Sequence, residues 1–265
     1  MKEVERLLTD GRVAMESSEF VQAESIFRKA LSVASEDSEC QELLAEALME
    51  QGKTKETKKV LETLIKKDPT WTNARYLLGD LFFEEGAIDK AMQQYKAIYE
   101  QDNTEVDALV SMGLIHYHHE DMDRAAEAYR KALVLEPDSV FALTSMAEVS
   151  MAQGEFSTAI DYLKKALDHE PDDPQAHASL AEMYYDQGDL DQAENWCTKA
   201  VELDAELSPA WLTLGNIHMD KEQAKDAIRA FDKFLRLEKG DPQSKQVCDE
   251  VKAVIEGLKE ELAGA

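Results

Sequence analysis

Apolar positions along the chain recur at helical spacing, in pairs of amphipathic runs separated by short polar breaks. The pattern then repeats itself. Residues 112–138 read "MGLIHYHHEDMDRAAEAYRKALVLEPD", and 34 residues on the chain reads "MAEVSMAQGEFSTAIDYLKKALDHEPD". A further step of 34 gives "LAEMYYDQGDLDQAENWCTKAVELDAE", with no gap needed. Small residues stand in register at Gly11, Ala45, Gly79, Gly113, Ala147, Ala181 and Gly215. A second row runs Ala23, Thr57, Ala91, Ala125, Ala159, Ala193 and Ala227, and a third, larger row Phe27, Leu61, Tyr95, Tyr129, Leu163, Cys197 and Phe231. The spacing divides residues 4–241 into seven repeats: 4–37, 38–71, 72–105, 106–139, 140–173, 174–207 and 208–241.

Each repeat predicts two helices. Gly52, Gly86, Gly154 and Gly188 mark the break between them, where a left-handed residue ends the first helix. Pro69, Pro137 and Pro171 mark the end of the second, since proline offers no N–H to propagate it. The small row lets paired helices approach, and the large row fills the space between repeats.

These residues resemble the tetratricopeptide repeat, with its W-x2-L-G-x2-Y, A-x3-F and P positions. The seventh repeat carries them best, in Trp211, Leu214, Gly215, Ala227 and Phe231, with His218 in place of the tyrosine. The resemblance covers about nine-tenths of the chain. It implies an all-α fold, a right-handed α-α superhelix of antiparallel helix pairs, with the first helix of each repeat lining an inner groove. Asp10 replaces a consensus leucine in the first repeat, as suits a terminal repeat with one face in water. The second repeat is loosest, with Gln41 and Thr57 at consensus Trp and Ala positions.

Residues 242–262 predict a closing helix. Asp241 can cap it, Pro242 suits its first turn, and Val247, Val251, Val254, Ile255 and Leu258 form one apolar stripe. Its expected role is to cover the last repeat, with dimerisation the alternative.

Charge changes the picture of partners. Against 29 Lys and Arg stand 55 Asp and Glu, a formal net charge of −26. Phosphate backbones need a basic footprint, so nucleic acid is excluded, and an anionic membrane surface is disfavoured. No apolar run is long enough for membrane insertion. Cys40, Cys197 and Cys248 are too scattered for a disulfide framework or a CxxC metal site, and read as free thiols of a reducing, cytoplasmic setting.

The resemblance implies that positions 2, 5, 6, 9, 12 and 13 of each repeat face the groove. Those positions hold thirteen acids: Glu5, Glu16, Glu39, Glu42, Glu46, Glu50, Asp80, Glu84, Asp107, Glu148, Glu182, Asp186 and Asp220. Arg12 is the one base among them. Bases collect on the second helices instead, as at Arg28, Lys96, Arg130, Lys164 and Lys233. Position 12 forms an apolar floor of Met15, Met49, Phe83, Tyr117, Met151, Tyr185 and Met219, widened by Tyr76 and Leu114. Methionine and aromatic side chains re-pack against varied partners. An acidic rim around such a floor predicts a bound segment that is basic or amphipathic. Asn216 is the lone asparagine at position 9 and no Lys or Arg stands at position 5, so the carboxylate-gripping subgroup of this family is not matched.

One stretch looks like a metal site: "IHYHHEDMD" at 115–123, with His116, His118, His119, Glu120, Asp121 and Asp123. Placed in the repeat, these residues are separate structural positions that fall side by side. No Gly-rich phosphate loop, catalytic triad order or zinc spacing occurs, so catalytic residues, metal ligands and cofactors are all expected to be none. The expected function is a non-catalytic scaffold. Two alternatives stand beside it: the substrate-selecting segment of a larger enzyme such as a glycosyltransferase, and self-assembly, one copy entering another's groove.

Overall fold

The computed structural model describes residues 2–264, and every regular element among them is an α-helix. The chain divides into two compact halves, residues 1–131 and 132–265, with the division inside the eighth helix. The first half holds α1 (Lys2–Glu16), α2 (Phe20–Val33), α3 (Ser38–Met49), α4 (Thr54–Lys67), α5 (Thr72–Glu84), α6 (Ile88–Gln101), α7 (Val106–His118) and most of α8 (Met122–Leu135). The second holds α9 (Val140–Ala152), α10 (Phe156–His169), α11 (Pro174–Asp186), α12 (Leu190–Leu203), α13 (Ser208–Asp220), α14 (Ala224–Leu237) and α15 (Lys245–Gly264). From α3 to α13 the odd-numbered helices start 34 residues apart.

Within each half, neighbouring helices pack in chain order: α1 on α2, α2 on α3, α3 on α4 in the first, and α9 on α10 through α14 on α15 in the second. The odd helices also meet one another, as in α1 with α3 and α11 with α13. Each half is thus a stack of helical hairpins in which every repeat completes its core against the next.

The rows of small and large residues face each other as size-matched pairs. A Cβ built on Gly79 would lie 2.7 Å from the Tyr95 ring, and the same overlap arises at Gly11 with Phe27, Gly113 with Tyr129 and Gly215 with Phe231. Where the small residue is alanine, its partner in the large row is Leu61, Leu163 or Cys197. Glycine opposite a ring and alanine opposite a smaller side chain keep the interhelical gap filled without overlap. In the loosest repeat, Thr57 is fully buried and its hydroxyl donates to the Lys53 carbonyl at 3.1 Å, so an alanine position accepts threonine without an orphaned polar group.

The turn inside each repeat requires a left-handed residue. Gly52, Gly86, Gly154 and Gly188 supply it at φ +69 to +77°, while Ser18, Glu120 and Glu222 adopt φ +57 to +59° at the equivalent places. A side chain there carries strain that glycine avoids.

The closing helix differs from expectation in two ways. It begins at Lys245, and Asp241 folds onto the Gln243 N–H (3.0 Å) and the Ser244 hydroxyl (2.8 Å) ahead of it. Asp241 is therefore no helix cap; the first helical bond runs from Cys248 N–H to the Ser244 carbonyl. The buried stripe is also turned by one position: Cys248, Val251 and Ile255 are buried against Phe231 and Phe234, while Val247 is 38% exposed. Val254 and Leu258 flank that contact as expected.

Candidate partner-binding surface

The odd-numbered helices present a graded surface, because successive positions turn by 100° around each helix axis. Position 13 is exposed in every repeat, which places Glu50 and Glu84 in the first half and Asp186 and Asp220 in the second at the surface. Position 12 is half-buried in every repeat. Met15, Met49 and Phe83 rest one side on the first-half core. Met151, Tyr185 and Met219 do the same in the second half. Tyr117 is half-buried beside the His118 ring, edge-on at 6.3 Å. Each of these side chains keeps an open side that an apolar group can cover.

Position 9 lies between core and solvent. Asp80 and Glu148 are exposed; Glu46, Leu114, Glu182 and Asn216 are half-buried. Burial pushes the Glu46 carboxyl above the ordinary carboxylate range, the neighbouring Glu42 charge adds to it, and Arg12 opposes it. Burial and then Asp186 push Glu182 in the same direction.

Position 5 dips furthest inward. Glu42, expected on the open face, is buried at 8% exposure, its Oε2 accepting the Trp71 indole N–H at 3.0 Å. Val110 is buried too. Tyr76 is half-buried, and its hydroxyl donates to Glu105 Oε2 at 3.4 Å. The Glu42–Trp71 and Tyr76–Glu105 contacts both span 29 residues, so position 5 of a repeat meets its position 34. Reading the last position of each repeat against the fifth would have exposed this register in the sequence.

Two further ties were invisible to helical periodicity. Tyr95 crosses Gly79 from α6 and donates its hydroxyl to Asp80 at 2.6 Å. Tyr185 on α11 donates to Asp220 on α13 at 2.7 Å, and burial followed by that carboxylate raises its pKa to about 12. The lone base, Arg12, donates to the Glu39 carboxylate. Its charge is thereby spent within the face, which stays acidic.

The histidine-rich stretch separates into local roles. His116 is half-buried, and burial lowers its pKa. His118 packs edge-on against Phe83, ring centres 5.1 Å apart. Glu120 takes the left-handed turn position, and Asp121 Oδ1 accepts the Arg124 N–H at 3.2 Å at the start of α8. The thiols are sequestered: Cys40 and Cys197 donate to the Phe27 and Ala210 carbonyls, and burial lifts them to about 11 and about 12.

Comparison with known proteins agrees with this architecture. Residues 14–81, 116–183 and 150–206 match a family described as tetratricopeptide repeat, and residues 208–241 match a second pattern of the same description. No curated protein matches the sequence. Among solved structures, a tetratricopeptide repeat protein from Parabacteroides merdae aligns with a TM-score of 0.74 at 16% identity, over 95% of this chain and 100% of that one. Pseudomonas aeruginosa pilF aligns with a TM-score of 0.69 at 18% identity, over 80% of this chain and 97% of that one. YrrB, described as a repeat protein with an unusual peptide-binding site, gives 0.55 at 18% identity, over 72% and 97% of the two chains. At such identities the likeness speaks for the fold. With matched segments spanning more than half its length, the chain belongs to the tetratricopeptide repeat family.

Proposed function

We propose that this protein is a non-catalytic scaffold whose odd-numbered helices hold a basic, amphipathic segment of a partner protein. The family supports a protein-interaction role in general. The observation that carries the finer reading is the layering of positions 12 and 13: a half-buried Met and aromatic row beside an exposed row holding Glu16, Glu50, Glu84, Asp186 and Asp220. Apolar anchors of a bound segment cover the first row, and lysine or arginine side chains meet the second. YrrB, which shares the fold, is described as having a peptide-binding site.

Among the described residues no helix is long and apolar enough to cross a membrane. All three cysteines are buried free thiols, which fits a reducing, cytoplasmic setting.

The test is a titration of the protein with an amphipathic lysine–leucine helical peptide at two ionic strengths. Affinity is expected to fall about tenfold or more between ~50 and ~500 mM salt, because exposed charge pairs are screened beyond a few ångströms there. An affinity indifferent to salt would remove the electrostatic part of the proposal.

A further inference from the structure

Between α4, α5 and α6, wholly within the first half, lies a cleft of about 390 Å³. Arg75, Leu78 and Phe82 reach it from the side of α5 turned away from Glu84, so it stands apart from the exposed acidic row. Three bases line it, Lys66, Arg75 and Lys90, against one acid, Glu62. That balance reverses the chain's own, in which 55 acids face 29 bases. The opening has a cause in the sequence. At position 23 the other six repeats hold an apolar or aromatic side chain, such as Ile26, Val60 and Trp196, where the third has Gln94. At position 4, Leu109, Leu143 and Trp211 correspond to Arg75. In the sixth repeat the same two positions are rings, His177 and Trp196, with centres 5.3 Å apart. In the third they are polar side chains joined by one hydrogen bond, Arg75 Nη1 to Gln94 Oε1 at 3.2 Å.

Arg75 is the only half-buried arginine among the described residues. Its Nε donates to the Pro69 carbonyl at 2.9 Å, and its Nη2 has no protein partner. No carboxylate of the described residues neutralises it, in contrast to Arg12 with Glu39 and Arg28 with Glu56. Lys66 and Lys90 are exposed at the same opening, the Lys90 ammonium 5.3 Å from the centre of the Phe82 ring. The guanidinium is thus held from two sides with one edge free.

We propose that this cleft binds an acidic segment of a partner protein, one of its carboxylate side chains seated on the free edge of Arg75 with Lys66 and Lys90 beside it. A planar guanidinium matches a carboxylate through paired N–H bonds. The contacts to Pro69 and Gln94 fix the fork beforehand, which reduces the ordering needed on binding. Nucleic acid is not the occupant, because three bases make no footprint for a long phosphate chain on a molecule of net charge −26. The odd-helix face contributes nothing to this cleft, so the two surfaces stand or fall separately.

The experiment titrates an unlabelled, end-capped peptide of alternating glutamate and alanine into the full chain by calorimetry, with the glutamine–alanine peptide as its neutral control. The variants are Arg75→Gln, Lys90→Gln, Gln94→Trp and, as a base of α4 outside the cleft, Lys59→Gln; circular dichroism checks the fold of each. Expected is binding of the glutamate peptide alone, weakened about tenfold by Arg75→Gln, about threefold by Lys90→Gln and under about twofold by Lys59→Gln. Gln94→Trp changes no charge but fills the cleft as Trp196 does in the sixth repeat, and is expected to weaken binding about tenfold as well. Equal losses for Lys59→Gln and Arg75→Gln would overturn the seat and leave a diffuse attraction to α4. A Gln94→Trp chain that binds like its parent would place the peptide elsewhere and overturn it too. So would a parent chain that binds neither peptide.

Discussion

Gly215 sits where the Phe231 ring crosses α13, with no room for a methyl group between them. Alanine is the better helix former by ~0.5–1 kcal/mol, but overpacking a filled core costs about 1–3 kcal/mol. The overlap here is with a ring wedged between two helices, so the second effect prevails. Gly215→Ala is expected to lower stability by about 1–2 kcal/mol in urea unfolding. Adding Phe231→Leu recreates the alanine–leucine pairing found at Ala147 and Leu163, and is expected to recover part of the loss. Strict additivity of the two changes would mean that the pair does not set the interhelical gap. Both rows of residues were legible in the sequence, but their matching in size was not. Periodicity shows that a position is small or large, and only packing shows which small residue meets which large one.

Between helices, one carboxylate with several partners is Glu24 on α2. It accepts from Arg28 at 2.9 Å, from Gln51 at 3.0 Å and from Lys53 at 2.7 Å, tying α2 to the turn that precedes α4. The Lys53 hydrogen bond leads in holding its pKa at about 2, against an ordinary 4.5. A carboxylate with a lowered folded-state pKa contributes stability that is complete above 4.5 and is lost as pH falls towards 2. Glu24→Gln is therefore expected to lower the urea midpoint at pH 7, with the gap to the parent closing as pH drops through that window. A gap that stays constant down to pH 3 would show that Glu24 acts by packing alone. The helices joined here were predicted by spacing; the tie was not, because Glu24 and Lys53 lie 29 residues apart with nothing in the local pattern to link them.

For the molecule as a whole, 55 acids against 29 bases make self-repulsion a standing cost. Many bases are engaged by acids of an adjacent repeat, as in Lys58 with Glu85 of the next, and Lys221 with Asp191 and Glu194 and Lys233 with Glu206 of the one before. Such exposed pairs each contribute little, about 0–1 kcal/mol. The uncompensated acids therefore dominate the salt response. The thermal midpoint is expected to rise by a few degrees as sodium chloride goes from ~10 to ~200 mM, followed by circular dichroism. A midpoint that falls with salt would show that the ion pairs outweigh the repulsion.

The sequence by itself determined the all-α class, the helical hairpins and the family, because a 34-residue period written into apolar and small positions has few other solutions. It also singled out the rows that end half-buried or exposed on the odd helices, since those rows follow from helical geometry alone. What the tertiary structure decided was how deep each side chain lies and whom it meets. It buried Glu42 beneath Trp71, brought Tyr95 across Gly79 to Asp80, and turned Cys248 inward in place of Val247. These outcomes depend on the distance between neighbouring helices and on which face each helix turns to the next. Both are set by contacts between side chains far apart in the chain, which no local pattern encodes.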